Sequence, residues 1–175
     1  MKNSISVWQL AGFIFTSVFG VLLHFLFDWS GGSVSVAPFS AVNESIWEHL
    51  KLLFFPMLIF AFIENRYIGK DYKNFWCVKL IGILFGVVLI PVFYYLINGA
   101  FGRTPDWVNI VIFFVAVGLS YLIESWLFKN NAVICKSPKT ALLTLWIVGV
   151  LFIVFTFVPP HIPLFQDPMT GDYGI

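Results

Sequence analysis

Charge is what this chain has least of. Only 11% of its 175 residues are Asp, Glu, Lys or Arg, whereas a soluble domain carries about a quarter. The shortage excludes an ordinary water-facing surface, because 59% of the chain is hydrophobic and 21 phenylalanines would have nowhere to go. A net charge of +1 gives nucleic acid no basic face to bind. No glycine-rich phosphate loop is present either. Cysteine is scarce: Cys77 and Cys135 are the only two, and neither has a metal-type partner nearby in sequence.

What remains is apolar sequence in runs of membrane length. About 30 Å of hydrocarbon needs about 20 helical residues, and five segments qualify: 7–27, 43–63, 75–97, 105–127 and 138–158. The expected fold is an all-α, polytopic transmembrane bundle, one domain over residues 1–175, with the lipid bilayer as its first partner. The run from Val7 to Phe27 is too long for a signal-peptide core, so it is expected to be a retained first span. Thr104-Pro105 and Ser137-Pro138 each place a hydroxyl N-cap before a proline at the first helical position. Pro159-Pro160 ends the last span, and Pro56 and Pro91 are tolerated inside helices.

Orientation follows from Lys and Arg. Five spans put eight of the ten, Lys2, Arg66, Lys70, Lys73, Lys79, Lys129, Lys136 and Lys139, on one side and only Lys51 and Arg103 on the other. The expectation is N-terminus in and C-terminus out. Both cysteines then lie on the cytoplasmic side, where thiols stay reduced, so no structural disulfide is expected. Glu64 and Glu124, near span ends beside Arg66 and Lys129, read as solvated interface charges. The pairs Trp47/Glu64 and Trp107/Glu124 share one spacing, a weak sign that spans two–three and four–five are a duplicated hairpin.

The stretch "VNESIWEHLK", residues 42–51, breaks the apolar pattern. The uncharged run after it, Leu52–Ile63, is 12 residues, about 18 Å of helix and too short to span. The turn carrying Glu44, Glu48, His49 and Lys51 must therefore enter the membrane, where charges are paired or turned inward. Glu44, Glu48 and Lys51 share a stripe at i, i+4 and i+7, and His49 points about 100° away from Glu48. His24 and Asp28, at i,i+4, share a face at the same end of span one. His161 follows span five on that side, with Asp167 six residues later, and Arg103 and Asp106 flank the start of span four. Bland roles compete. Ser45-x-x-Glu48 is a capping box and Asn43 an equal N-cap; Glu48 and Lys51 form an i,i+3 ion pair; His24 bonds to Asp28; Gln9, Asn98 and Asn109 stand isolated. The functional expectation is that His24 and His49 approach each other, and that His24, Asp28, Glu44, Glu48, His49 and His161 are candidate ligands for a divalent metal such as zinc. The low-charge loop 29–42 and the tail "PPHIPLFQDPMTGDYGI" are expected to fold over this pocket, with the Ile175 carboxylate reaching Arg103 or Lys51.

"VNESIWEHLKLLFFPMLIF" together with "FQDPMTGDYGI" resembles a family of small multi-spanning membrane proteins of Gram-positive bacteria, a domain of unknown function. That resemblance implies a bacterial plasma membrane and supplies no activity, cofactor or catalytic residue. Three functions stay open on the residues: a protein binding or moving a metal ion, proton or small cation; a membrane-embedded metal-dependent hydrolase acting on a lipid; and a structural or assembly subunit. Whether the chain is an enzyme is left undecided.

Overall fold

The computed structural model describes residues 2–102 and 104–175, with side chains throughout except at Lys2, Asn3 and Asp106. The expected roles of Arg103 and of the Asp106 side chain lie outside the described residues. The fold is all-helical: α1 Lys2–Trp29, α2 Ile46–Ile68, α3 Phe75–Phe101, α4 Asp106–Asn130 and α5 Pro138–Phe157, with a short 3-10 turn at Gly69–Asp71. All five helices are long and apolar enough to cross a membrane. Five such helices are consistent with an integral membrane protein. The observed helices exceed the expected spans mainly at the first start and at the second and third ends, since apolarity marks hydrocarbon and not the helical turns beyond it, and α2 starts later than expected, at Ile46.

Helices α1 to α4 close a ring through contacts α1–α2, α2–α3, α3–α4 and α4–α1, and α5 packs against α2 and α3. Helix α2 is the most enclosed, while the others keep broad apolar faces outward, as lipid requires. The core gathers Leu53, Phe54, Ile83, Ala116, Val117, Leu145 and Phe152, all essentially without exposed surface. The ring has two ends. One carries the start of α1 and the α2–α3 and α4–α5 turns; it is called here the N-terminal face. The other, the histidine face, carries the α1–α2 and α3–α4 connections and the tail.

Local chemistry sets the helix starts. Ser137 caps α5, accepting from Thr140 N, with Pro138 at the first position, as its sequence indicates. Ser45 caps α2, accepting from Glu48 N at 3.4 Å. Asn43 is not the cap: its Oδ1 accepts from Ser45 N at 2.9 Å, so the Glu48 carboxylate is released from the capping box. Helix α4 begins one residue later than expected, with Pro105 at the cap position and no side-chain bond from Thr104 to the helix. Thr104 instead gives its backbone N–H and hydroxyl to Asn98 Oδ1, at 3.0 and 3.2 Å.

Two expectations on the N-terminal face are overturned. Cys77 and Cys135 form a disulfide with Cα atoms 5.7 Å apart. Compartment logic overlooked how the α4–α5 loop folds across the start of α3, where Asn74 Nδ2 donates to Val133 O at 3.3 Å. Glu64 and Glu124 are not solvated; both are fully buried and meet Lys79 inside the ring. Lys79 and Lys51 are thus buried partners and not loop charges, which leaves seven cations on the N-terminal face against Arg103 alone. Such an excess of cations is the mark of a cytoplasmic face; a disulfide is the mark of an oxidising compartment. The two signals oppose each other. Denatured protein purified without reductant is expected to take up no maleimide, and two per chain after reduction. Uptake before reduction would show that the thiols are free, and the charge count would then stand unopposed.

Candidate metal centre

The histidine face is built on a close approach. A Cβ placed on Gly20 would lie 2.7 Å from Leu52 O and 2.5 Å from Phe113 Cζ, so only glycine lets α1 lie this tightly between α2 and α4. One turn further on, His24 meets His49 of α2, with ring centroids 5.3 Å apart. Glu44 completes the group. Its carboxylate stands 3.9 Å from His24 Nε2 and 3.5 Å from His49 Nε2. One ligand atom from each residue falls within 4.8 Å of the others. Tetrahedral ligands about 2.1 Å from one zinc ion lie about 3.4 Å apart, so small side-chain rotations close the site.

Glu44 does not share the helical stripe of Glu48 and Lys51. Helix α2 starts at Ile46, and Glu44 sits in the turn before it, free to face the histidines. Its backbone N–H donates to Asp167 Oδ2 at 3.3 Å, which anchors the turn to the tail. His49 Nδ1 lies 2.8 Å from Ser45 O. A carbonyl only accepts, so Nδ1 carries the hydrogen. With Nδ1 so engaged, Nε2 is the nitrogen that faces the Glu44 carboxylate, and in a neutral ring its lone pair meets the carboxylate acceptor to acceptor. A proton or a metal ion between them resolves that opposition, and a backbone carbonyl holding the other ring nitrogen is the usual support of a ligating histidine. Next to this group, His24 Nδ1 is buried with no partner in the protein.

The other expected ligands go elsewhere. Glu48 is turned away and buried against Lys51, 2.5 Å from its ammonium. Asp28 is exposed one turn beyond His24, near enough to act on it electrostatically but outside the group. His161 is exposed and packs on Tyr173, ring centroids 4.6 Å apart. Among the described residues, only His24, Glu44 and His49 converge as potential metal ligands.

Two cavities flank the triad. One, of about 260 Å³, runs between α1 and α4 and is lined by Val21, Phe25, Leu52, Ile110, Phe113 and Phe114 together with the three ligands. The other, of about 370 Å³, touches His24 and Glu44 and is lined by Tyr94, Asn98, Thr104, Asn109, Pro168 and Met169. The triad stands where an apolar space meets a polar one. Asn109, which looked isolated in sequence, walls both cavities, and its Oδ1 is buried without a partner. Tyr94 and Asn98, at i,i+4 near the end of α3, carried the spacing signal that could have found the polar wall.

The model of a family of unknown function (DUF6512) matches residues 1–175, the whole chain. The protein belongs to that family. No curated protein and no solved structure matches it.

Proposed function

We propose that this membrane protein binds a divalent metal ion of the zinc type through His24 Nε2, His49 Nε2 and the Glu44 carboxylate. The observation that carries the reading is the convergence of ligand atoms of His24, Glu44 and His49 within 4.8 Å of one another, with His49 Nδ1 held at Ser45 O so that Nε2 faces the carboxylate 3.5 Å away. Imidazole and carboxylate donors together suit zinc and similar ions. Three protein ligands leave a fourth position for water or a ligand, the pattern of a working site and not a closed structural one. That open position would face the two cavities. The positive-inside count would put this face outside the cell, so the ion would be taken from or presented to the exterior.

A second reading is favoured by one feature, the apolar cavity beside the triad. It would accept an acyl chain while the polar cavity takes a headgroup, as a metal-dependent lipid hydrolase requires. There the ion would activate its bound water.

Calorimetric titration of chelator-treated protein with Zn²⁺ tests the metal site directly. One ion per chain is expected, bound about 100-fold or more weakly, ~3 kcal/mol, in Glu44→Gln and in His49→Ala. Affinity unchanged in both variants would remove the site. Zinc-dependent release of fatty acid from lipid by the wild type, lost in Glu44→Gln, would select the hydrolase reading; bound zinc without turnover would select binding or transport.

A further inference from the structure

We propose that Gln9, Glu64, Lys79 and Glu124 form a proton-binding site near the N-terminal face, with one exchangeable proton carried by Glu124 and directed at the Gln9 carbonyl. Each of the four ring helices supplies one member. All four side chains are at least nine-tenths buried. Two carboxylates and one ammonium sum to −1, and an uncompensated charge inside a membrane bundle is costly. One more positive charge belongs there.

The hydrogen-bond pattern says where. Lys79 Nζ donates to Glu124 Oε2 at 2.5 Å and contacts Glu64 Oε2; Gln9 Nε2 donates to Glu64 Oε1 at 2.9 Å. Glu64 has a cation or donor at each oxygen, Gln9 Nε2 hydrogen-bonded to Oε1 and the Lys79 ammonium in ion-pair contact with Oε2, whereas Glu124 is contacted only on Oε2. Glu124 Oε1 and Gln9 Oε1 are both buried acceptors with no donor, as is Glu64 Oε2, which has the Lys79 ammonium against it, and the Gln9 amide is near enough to act on Glu124 as well as to bond to Glu64. A single proton on Glu124 Oε1 turns one vacant acceptor into a donor for the other and removes the excess charge. Lys79 fills the space between the carboxylates, so a metal ion is not required there.

Among the described residues, the groups packed on the Lys79 ammonium besides the two carboxylates are aromatic rings. From α4, Tyr121 lays its ring 5.5 Å from Lys79 Nζ and bonds through its hydroxyl to Thr16 of α1 at 2.9 Å. Phe75 and Phe128 cover other sides of the ammonium. Tyr72, after the α2–α3 turn, is the other titratable group acting with Glu64, with Asp71 beside it. Gly82 of α3 makes room for Glu124: a Cβ there would lie 2.4 Å from Oε1. The site stands apart from the metal triad, and its test needs no metal.

Infrared spectra of the purified protein in an ester-free detergent, in H₂O and D₂O, read the proton directly. At neutral pH a buried carboxylic C=O band is expected that shifts on deuteration, disappears in Glu124→Gln and survives in Glu64→Gln. In Lys79→Met, where the ammonium charge is gone, a second proton should restore neutrality and the band area should about double. Should Glu124→Gln fail to fold, Glu124→Asp must move the band while Glu64→Asp leaves it in place. No such band in the wild type, or a band that follows Glu64 and not Glu124, would overturn the proposal.

Discussion

Lys51→Met is expected to lower stability by about 3–5 kcal/mol, the usual cost of leaving one half of a buried ion pair behind. Lys51 is a long cation with no exposed surface. Its three ammonium hydrogens have three partners: Glu48 Oε2 at 2.5 Å, Ala37 O at 2.8 Å and Thr156 Oγ1 at 2.8 Å. These come from α2, the α1–α2 loop and α5, so one side chain ties three segments together. Glu48 Oε2 also accepts from Val42 N at 3.1 Å, and Oε1 lies 3.3 Å from Thr156 Oγ1. Without the ammonium, a buried carboxylate and the Ala37 carbonyl are both stranded. Lys51→Met combined with Glu48→Gln removes both charges and should recover most of the loss, because neutral replacements of a whole buried pair are often tolerated. Denaturant titration in detergent micelles, followed by tryptophan fluorescence, measures both variants. A single variant within about 1 kcal/mol of wild type would mean that the pair is not enclosed as described.

The five spans were legible because hydrocarbon thickness imposes a length on apolar runs, and that constraint acts on sequence directly. The pairing of charges was not legible, because each pair depends on which helices adjoin. Glu124 and Lys79 are 45 residues apart, and no periodicity links them. Helix ends carrying a Glu beside an Arg or Lys look like interface, and only the closed α1–α4 ring reveals that Glu64 and Glu124 face inward. At the other face, the approach of His24 and His49 could be read from their matching depth in adjacent helices. The separation of Glu44 from Glu48 could not, because it rests on a helix that starts at Ile46, two residues after Glu44. Starting the helix at Ile46 and not at Asn43 divides the supposed stripe of Glu44, Glu48 and Lys51 between two sites, a triad and an ion pair. The disulfide was not legible for another reason: cysteine usage was judged by compartment, whereas the pairing rests on the α4–α5 loop folding across the start of α3.

Removal of residues 162–175 is expected to destabilise the bundle and, separately, to weaken the metal site. Phe165 is buried and stacks on Trp47, ring centroids 4.5 Å apart, in a group that includes Phe152 and Phe155. Leu164 O accepts from Trp47 N at 3.0 Å, satisfying a backbone donor in the first turn of α2. Asn43 Nδ2 donates to Gly174 O at 2.9 Å. Asp167 organises the tail's own turn, its Oδ1 accepting from Met169 N at 2.6 Å, while its Oδ2 holds Glu44 N. The tail therefore sets the position of Glu44, the one proposed ligand that belongs to no helix. Two variants divide its roles. Phe165→Ala removes apolar packing and should cost about 3–5 kcal/mol, with zinc affinity little changed in the protein that remains folded. Asp167→Ala frees Glu44 and should weaken zinc about tenfold, ~1.4 kcal/mol, the lower end of what supporting residues of metal ligands contribute. Melting curves and zinc titrations on the two variants separate stability from site geometry. Equal zinc affinity in Asp167→Ala and wild type would mean that Glu44 is held by something other than the tail, or is no ligand, and Glu44→Gln distinguishes the two.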